Sequence, residues 1–243
     1  MGGRGSYSGR GGGYVIGGGG FPRGGGVAPM RGGSGSSQNH ITRDEMNNMT
    51  DAEFMNGYVA NNSYGGSRSN EMINKGLNGM SATQILIDDL GMHDKPQVLD
   101  DDAFDKLVAS NPNMHRIHRG VHSAASRNNT MYADTTYIGN GIWGDGLYFS
   151  NQKRTASSYS GISGSANKMT ATLDPKKTKS IAFSTIQNKL AAQGIRADSS
   201  DYSCWAIKHG YNCITRPGYN AGERFVIPLD RSIIIFRKNS LVH

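Results

Sequence analysis

Glycine is concentrated at the start of this chain, which separates its first 37 residues from any part that can build a hydrophobic core. Residues 1–37 hold 17 of the 34 glycines, together with four arginines and no acidic residue. A segment of this composition cannot bury enough apolar surface to offset the entropy of ordering it. We therefore expect a disordered tail over residues 1–38, and a folded protein built from the residues after it.

The tail carries three Arg-Gly-Gly triplets, which begin at Arg10, Arg23 and Arg31. Arginines in a flexible chain with aromatic neighbours can contact RNA through charge and stacking, so weak RNA binding is one interpretation. A solubilising spacer is the other. Four of the seven net positive charges lie in the tail, and the rest of the chain is therefore not expected to attract nucleic acid strongly as a whole.

The two cysteines, Cys204 and Cys213, form neither a CxxC pair nor a disulfide framework, which favours a reducing compartment. The longest aliphatic stretch is Ile233–Phe236, far below the roughly 20 residues that cross a bilayer. No apolar signal segment follows the first methionine. We expect an intracellular, cytoplasmic protein with no membrane partner.

Residues 39–111 read as a helical N-terminal region. Capping-box spacing occurs at Thr42, Thr50 and Ser81, each followed three positions later by Glu or Gln. The acidic run Asp100–Asp102 could suggest a metal site. Acids at the start of a helix also satisfy its free N–H groups and its dipole; that interpretation is preferred, and no metal is expected.

Residues 112–243 change pattern and predict several short strands with few, brief helices, which is typical of an α+β domain. Residues Gly139–Gly144 match GxGxxG, a dinucleotide-binding pattern. That pattern requires a helix opening at the glycines, whereas Leu147–Phe149 favours a strand. The glycine match is therefore rejected as a Rossmann signature.

Three segments of this domain carry the residues that could perform chemistry. The first, 117–123, contains Arg119 followed by Gly120. The second, 144–150, ends in a strand-like run with Tyr148 and Ser150, and Tyr159 follows eleven positions after Tyr148. The third begins at Glu223, an acid directly before an apolar strand.

These segments resemble the ADP-ribosyltransferase superfamily, and the second is most similar to the poly(ADP-ribose) polymerase type. That type has a GxGxYF strand with a second tyrosine eleven positions on, and its catalytic glutamate opens a late strand. The resemblance covers about residues 113–237. It implies NAD as a substrate, no metal, and short mixed or antiparallel strands in two packed sheets.

The first segment departs from the polymerase type, which has a histidine directly before the glycine. Arg119 holds that place here and resembles the arginine of the arginine–serine–glutamate toxins and phage enzymes, in which Ser150 would be the serine. The mixture favours transfer of single ADP-ribose units over polymer synthesis. The resemblance therefore implies a mono-ADP-ribosyltransferase with a protein or nucleic-acid acceptor.

The residue types suit that reaction. Cleaving the nicotinamide–ribose bond develops positive charge on the sugar, and Glu223 would stabilise it. Arg119 would grip the diphosphate or ribose with its planar guanidinium. Gly120 would let the backbone approach the nicotinamide amide, while Tyr148 and Tyr159 would enclose the nicotinamide ring.

Several alternatives stay open. If Glu223 were the first member of a family acid pair, Phe225 would occupy the catalytic position and the enzyme would be inactive. The same site would also serve an NAD glycohydrolase, with water as acceptor, and RNA 2′-phosphotransfer uses a similar fold. An alternative outside the enzymes is a non-catalytic RNA-binding or assembly protein that acts through its tail.

Overall fold

The computed structural model describes residues 40–63, 81–134, 141–159 and 168–239. All of them belong to one of two units into which the chain divides, Gln38–His243. The predicted disordered tail, residues 1–38, lies outside the described residues.

Short helices dominate the first part of the described chain. Thr42 and Thr50 each accept a hydrogen bond from the backbone N–H three residues on, and Glu45 and Glu53 return it, so both capping boxes are confirmed. Ser81 likewise caps its helix by accepting from the Gln84 N–H. The helical elements are α1 (Arg43–Asn48), α2 (Asp51–Glu53), a π-helical segment (Phe54–Val59), α3 (Ala60–Asn62) and α4 (Ala82–Asp89).

The acidic run at Asp100–Asp102 starts helix α5 (Asp101–Ser110). The Asp100 carboxylate accepts a hydrogen bond of 2.8 Å from the Ala103 N–H, which confirms the capping interpretation. Just before it, strand β1 (Gln97–Leu99) pairs in parallel with a strand near the end of the chain. The region 39–111 is therefore not purely helical, since it supplies one edge of the sheet.

The second half of the chain supplies the other strands and the remaining helices. Its first members are β2 (Ile117–Gly120), α6 (Ala124–Tyr132), β3 (Phe149–Ser150), α7 (Lys153–Tyr159), β4 (Lys168–Leu173) and β5 (Ser180–Ala182). They are followed by α8 (Phe183–Ala192), α9 (Ser199–Lys208), β6 (Cys213–Pro217), β7 (Arg224–Pro228), a 3₁₀ turn (Arg231–Ile233) and β8 (Ile234–Arg237).

The strands join in one open, mixed sheet of eight strands in the order β1-β8-β4-β2-β3-β7-β6-β5. The mixed α and β content is as predicted, but the prediction of two packed sheets is wrong. The two halves of the sheet are linked between β2 and β3 through the single pair His118↔Ser150. Because β3 has only two residues and also pairs with β7, it bridges strands that would otherwise form separate sheets.

Hydrophobic clusters cover both faces of this sheet. One packs β5, β6 and β7 against α8 and α9, with Phe54, Trp205 and Ile227 among its buried side chains. A second cluster packs against β2, β4 and β8 and includes Met131 of α6. In a third cluster, Phe104 of α5 packs against the sheet. This burial fixes the positions of β2, β3 and β7, the strands that carry the candidate residues.

Candidate active site

A cavity with a volume of about 690 Å³ opens where β2 and β3 separate. The two strands pair only at His118 and Ser150. Beyond that pair, Gly120–His122 continues on one side while Tyr148 and Phe149 approach from the other, and both segments line the cavity. The volume is within the range of small-molecule and cofactor sites.

Arg119 lines this cavity and has little else to bind. Its Nη1 donates a hydrogen bond of 3.1 Å to the Tyr148 carbonyl, and its buried Nε has no hydrogen-bond partner within the described ranges. Among the described residues no carboxylate lies within ion-pairing distance of it. Burial lowers the pKa of Arg119 to about 10, so the guanidinium is charged at neutral pH.

Glu223 is buried, with 5% of its surface exposed, and its carboxylate is held on both sides. Oε1 accepts hydrogen bonds from the hydroxyls of Ser150, at 3.0 Å, and Thr155. Oε2 accepts from the Tyr219 N–H and from both the backbone and the side chain of Asn220. Burial favours the neutral acid, but these hydrogen bonds outweigh it and lower the pKa of Glu223 to about 2.

The Glu223 carboxylate lies just behind the cavity wall. Ser150 and Thr155 line the cavity, and Glu223 reaches it through their hydroxyls. Phe225, which pairs with Ser150 across β3 and β7, lines the cavity directly. In the sequence-based alternative, Phe225 holds the catalytic position, and Phe225 does lie at the cavity. Among the described residues, the carboxylate that accepts hydrogen bonds from Ser150 and Thr155 is that of Glu223.

Tyr148 lines the cavity, and the preceding loop, residues 141–147, holds its ring in place. Its hydroxyl donates to the Gly144 carbonyl at 2.6 Å and accepts from the Trp143 N–H at 3.1 Å. The ring lies so close to Gly141 that a Cβ there would overlap it. Tyr159, the expected partner of Tyr148, is the last residue of α7, and its side chain lies outside the described part of the chain.

Gly120 and His118 occupy the end of β2. Gly120 lines the cavity. His118, interpreted from sequence as structural, shares a hydrogen bond of 3.2 Å with Thr170 and is buried. Burial, with Lys153 and Arg116 nearby, lowers the pKa of His118 to about 4, so its ring is neutral at pH 7.

Sequence reasoning missed several residues that complete the site. Thr155 is a second hydroxyl donor to Glu223, from helix α7. Trp143, inside the rejected glycine pattern, lines the cavity and packs against Phe225 with a ring-centroid distance of 5.0 Å. Tyr219 lines the cavity as well, and its position between Gly218 and Gly222 was the one signal in the sequence of an exposed aromatic loop.

Thiol chemistry does not suit this site. Both cysteines are buried and free, and burial raises the pKa of the Cys213 thiol to about 12 and that of Cys204 further still. Within the described residues no three His, Cys, Asp or Glu side chains gather where they could hold a metal ion.

The sequence matches no protein-family model and no curated protein. In the ranges that the structure describes, no helix is both long enough and apolar enough to cross a membrane.

Proposed function

We propose that the chain is an NAD-dependent mono-ADP-ribosyltransferase that cleaves the nicotinamide–ribose bond in this cavity and passes ADP-ribose to a macromolecular acceptor. One observation carries the proposal. A half-buried guanidinium with no carboxylate partner among the described residues and a buried carboxylate that stays ionised meet the same cavity. Arg119 lines it from β2, and Glu223 reaches it through the hydroxyls of Ser150 in β3 and Thr155 in α7.

The two charges match the two ends of the reaction. The diphosphate of NAD is an anion, and binding it would satisfy the Arg119 guanidinium with hydrogen bonds as well as charge. The ribose becomes cationic as the nicotinamide leaves, and a fixed carboxylate stabilises that cation. Because the pKa of Glu223 is held at about 2, the carboxylate carries its charge throughout the physiological pH range.

The hydroxyls between Glu223 and the cavity have a role in this scheme. Ser150 and Thr155 hold Oε1 at the wall, and either can rotate to receive a ribose hydroxyl while the carboxylate stays fixed. Tyr148, held by Gly144 and Trp143, offers one aromatic face for the nicotinamide ring. Tyr159 remains the proposed second face.

The test is incubation of the full chain with NAD labelled in the adenosine part, following nicotinamide release and the label on macromolecules. Transferase activity predicts nicotinamide release together with acceptor-bound label. Release with free ADP-ribose as the only labelled product would identify an NAD glycohydrolase. No release above the uncatalysed rate would contradict the proposal and favour a non-catalytic protein.

A further inference from the structure

Tyr219 is an exposed aromatic residue on a loop that is held rigidly. Its side chain is 73% exposed, yet its backbone N–H donates to Glu223 Oε2 at 3.1 Å. The Gly218 N–H donates to the Glu223 carbonyl at 2.8 Å, and a Cβ on Gly218 would overlap the Glu223 side chain. An exposed ring on a preorganised loop can bind a ligand with little loss of conformational entropy.

A partly exposed guanidinium and a buried second aromatic ring, that of Trp143, lie beside Tyr219. Arg216 Cζ lies 3.7 Å above the centroid of the Trp143 ring and 5.6 Å from that of Tyr219. The Trp143 and Tyr219 ring centroids are 5.5 Å apart. We call these three side chains the stacking platform. Since Trp143 and Tyr219 also line the cavity, the platform forms part of its rim.

The charge next to the platform is positive. Lys153, Arg154 and Arg224 are exposed, and in the described part of the chain none of them is paired with a carboxylate. Asn151 and Gln152, just before Lys153, donate to the carbonyls of Gly222 and Ala221, which ties these cations to the loop.

Acidic residues do not offset this charge. Residues 141–159 and 213–228 contain two acids, Asp145 and Glu223, which are 1% and 5% exposed. The modest net charge of the chain after residue 37 therefore conceals a basic surface at the cavity.

We propose that the stacking platform binds a base of single-stranded nucleic acid and presents it to the cavity as the ADP-ribose acceptor; the acceptor role rests on the proposed function. Stacking on Tyr219 needs an unstacked base, which single strands supply, and the exposed cations beside it suit the phosphate backbone. An acidic protein surface would use the cations but would leave the exposed Tyr219 ring without a stacking partner.

The transfer step is balanced with NAD and the base alone. The bond between the nicotinamide nitrogen and ribose C1′ breaks, and nicotinamide leaves with the bonding electron pair. A nitrogen or oxygen of the base forms the new bond to C1′ and releases its proton to solvent.

The binding test needs no NAD. Fluorescence anisotropy of a 5′-labelled, mixed-sequence 12-nucleotide single strand should give a Kd that rises roughly tenfold in Tyr219→Ala. Tyr219→Phe should keep wild-type affinity, and Tyr132→Ala, which removes another exposed tyrosine, serves as the matched control. The Arg-Gly-Gly tail is common to all four proteins, so differences among them report on the platform.

Charge is tested in the same titrations. Arg224→Gln should lower the slope of log K against log salt concentration by about one, while Lys189→Gln on α8 should change it far less. Equal affinities for Tyr219→Ala and Tyr132→Ala, or displacement of the strand by polyglutamate but not by unlabelled oligonucleotide, would overturn the platform.

Failure of this inference and failure of the proposed function give different results. Platform-dependent binding without nicotinamide release contradicts the transferase and leaves the binding surface in place. Nicotinamide release with label on protein only, together with Tyr219-independent strand binding, overturns the nucleic-acid acceptor and leaves the transferase in place. Nuclease-sensitive label that falls in Tyr219→Ala supports both.

Discussion

Arg119 keeps its charge half-buried at the end of β2, with one hydrogen bond to a carbonyl and no carboxylate partner among the described residues. A charge in such surroundings costs stability unless it is paired. Removing it should therefore cost the folded protein little, whereas a structural ion pair would behave in the opposite way.

We accordingly predict that Arg119→Met changes the free energy of unfolding by no more than about 1 kcal/mol, the scale of one lost hydrogen bond. The same variant should raise the Kd for NAD at least tenfold, measured through Trp143 fluorescence at the cavity. Arg237→Met is the control, because Arg237 is paired with Asp101 and Asp105; it should lose stability and keep its NAD affinity. Strong destabilisation of Arg119→Met with unchanged NAD binding would make Arg119 structural.

The sequence brought Arg119, Ser150 and Glu223 forward because each lies in a short local pattern. Thr155 and Tyr219 were not predicted as site residues, because their roles depend on contacts that no local sequence pattern encodes. Thr155 meets Glu223 across 68 positions of chain, and Tyr219 matters through its exposure. The sequence also could not show that Glu223 would lie behind the wall, since that depends on the side chains of neighbouring strands.

Among the secondary-structure elements, helix starts were the most predictable because their signals are chemical and local. The caps at Thr42, Thr50, Ser81 and Asp100 are all as expected. Helix α8 lacks such a signal, because it begins at Phe183 with no side-chain cap. Helix α6 was missed, since Ala124–Tyr132 is mostly small and polar and shows little apolar periodicity.

The loop before β3 positions Tyr148, and Gly141 is its most sensitive residue. Gly141→Ala should displace the Tyr148 ring, break its hydrogen bond to the Gly144 carbonyl, and weaken NAD binding several-fold. Gly57→Ala is the matched control, because nothing lies within 4 Å of a Cβ at that helical position. It should raise stability by roughly 0.5–1 kcal/mol, measured by chemical denaturation. Unchanged NAD affinity in Gly141→Ala would show that the Tyr148 ring is not part of the binding site.

For the molecule as a whole, the single sheet explains how residues distant in sequence share one cavity. The short bridge β3 connects β2, which carries Arg119, to β7, which starts after Glu223. The α+β class followed from strand length and helix brevity, but the continuity of the sheet did not, because one pair of residues decides it.

The pH dependence of global stability should reflect His118. The folded protein takes up a proton there only near pH 4, whereas an ordinary histidine does so at about 6.5. Stability from this residue is therefore complete above pH 6.5 and is lost as the pH falls toward 4. Asp201, whose pKa is raised to about 6 mainly by burial, opposes this trend, so variants must be compared at equal pH.

In His118→Gln the loss of unfolding free energy between pH 7 and pH 5 should be smaller than in the wild type, by an amount on the order of 1 kcal/mol. His115→Gln, at an exposed histidine three positions earlier, should keep the wild-type pH profile. Denaturant titrations at the two pH values provide the measurement, and identical profiles for His118→Gln and wild type would contradict the assignment.

The most direct measurement is the rate of nicotinamide release from NAD by the wild type and by Glu223→Gln. The amide can turn its oxygen toward the N–H groups of Tyr219 and Asn220 and its NH₂ toward the hydroxyls, so this variant should fold normally. The account predicts a fall in turnover of at least ~10²–10³, as expected for one lost electrostatic group. Glu53→Gln, which alters a hydrogen-bonded capping acid, should retain full activity. Near-wild-type release by Glu223→Gln would contradict the account.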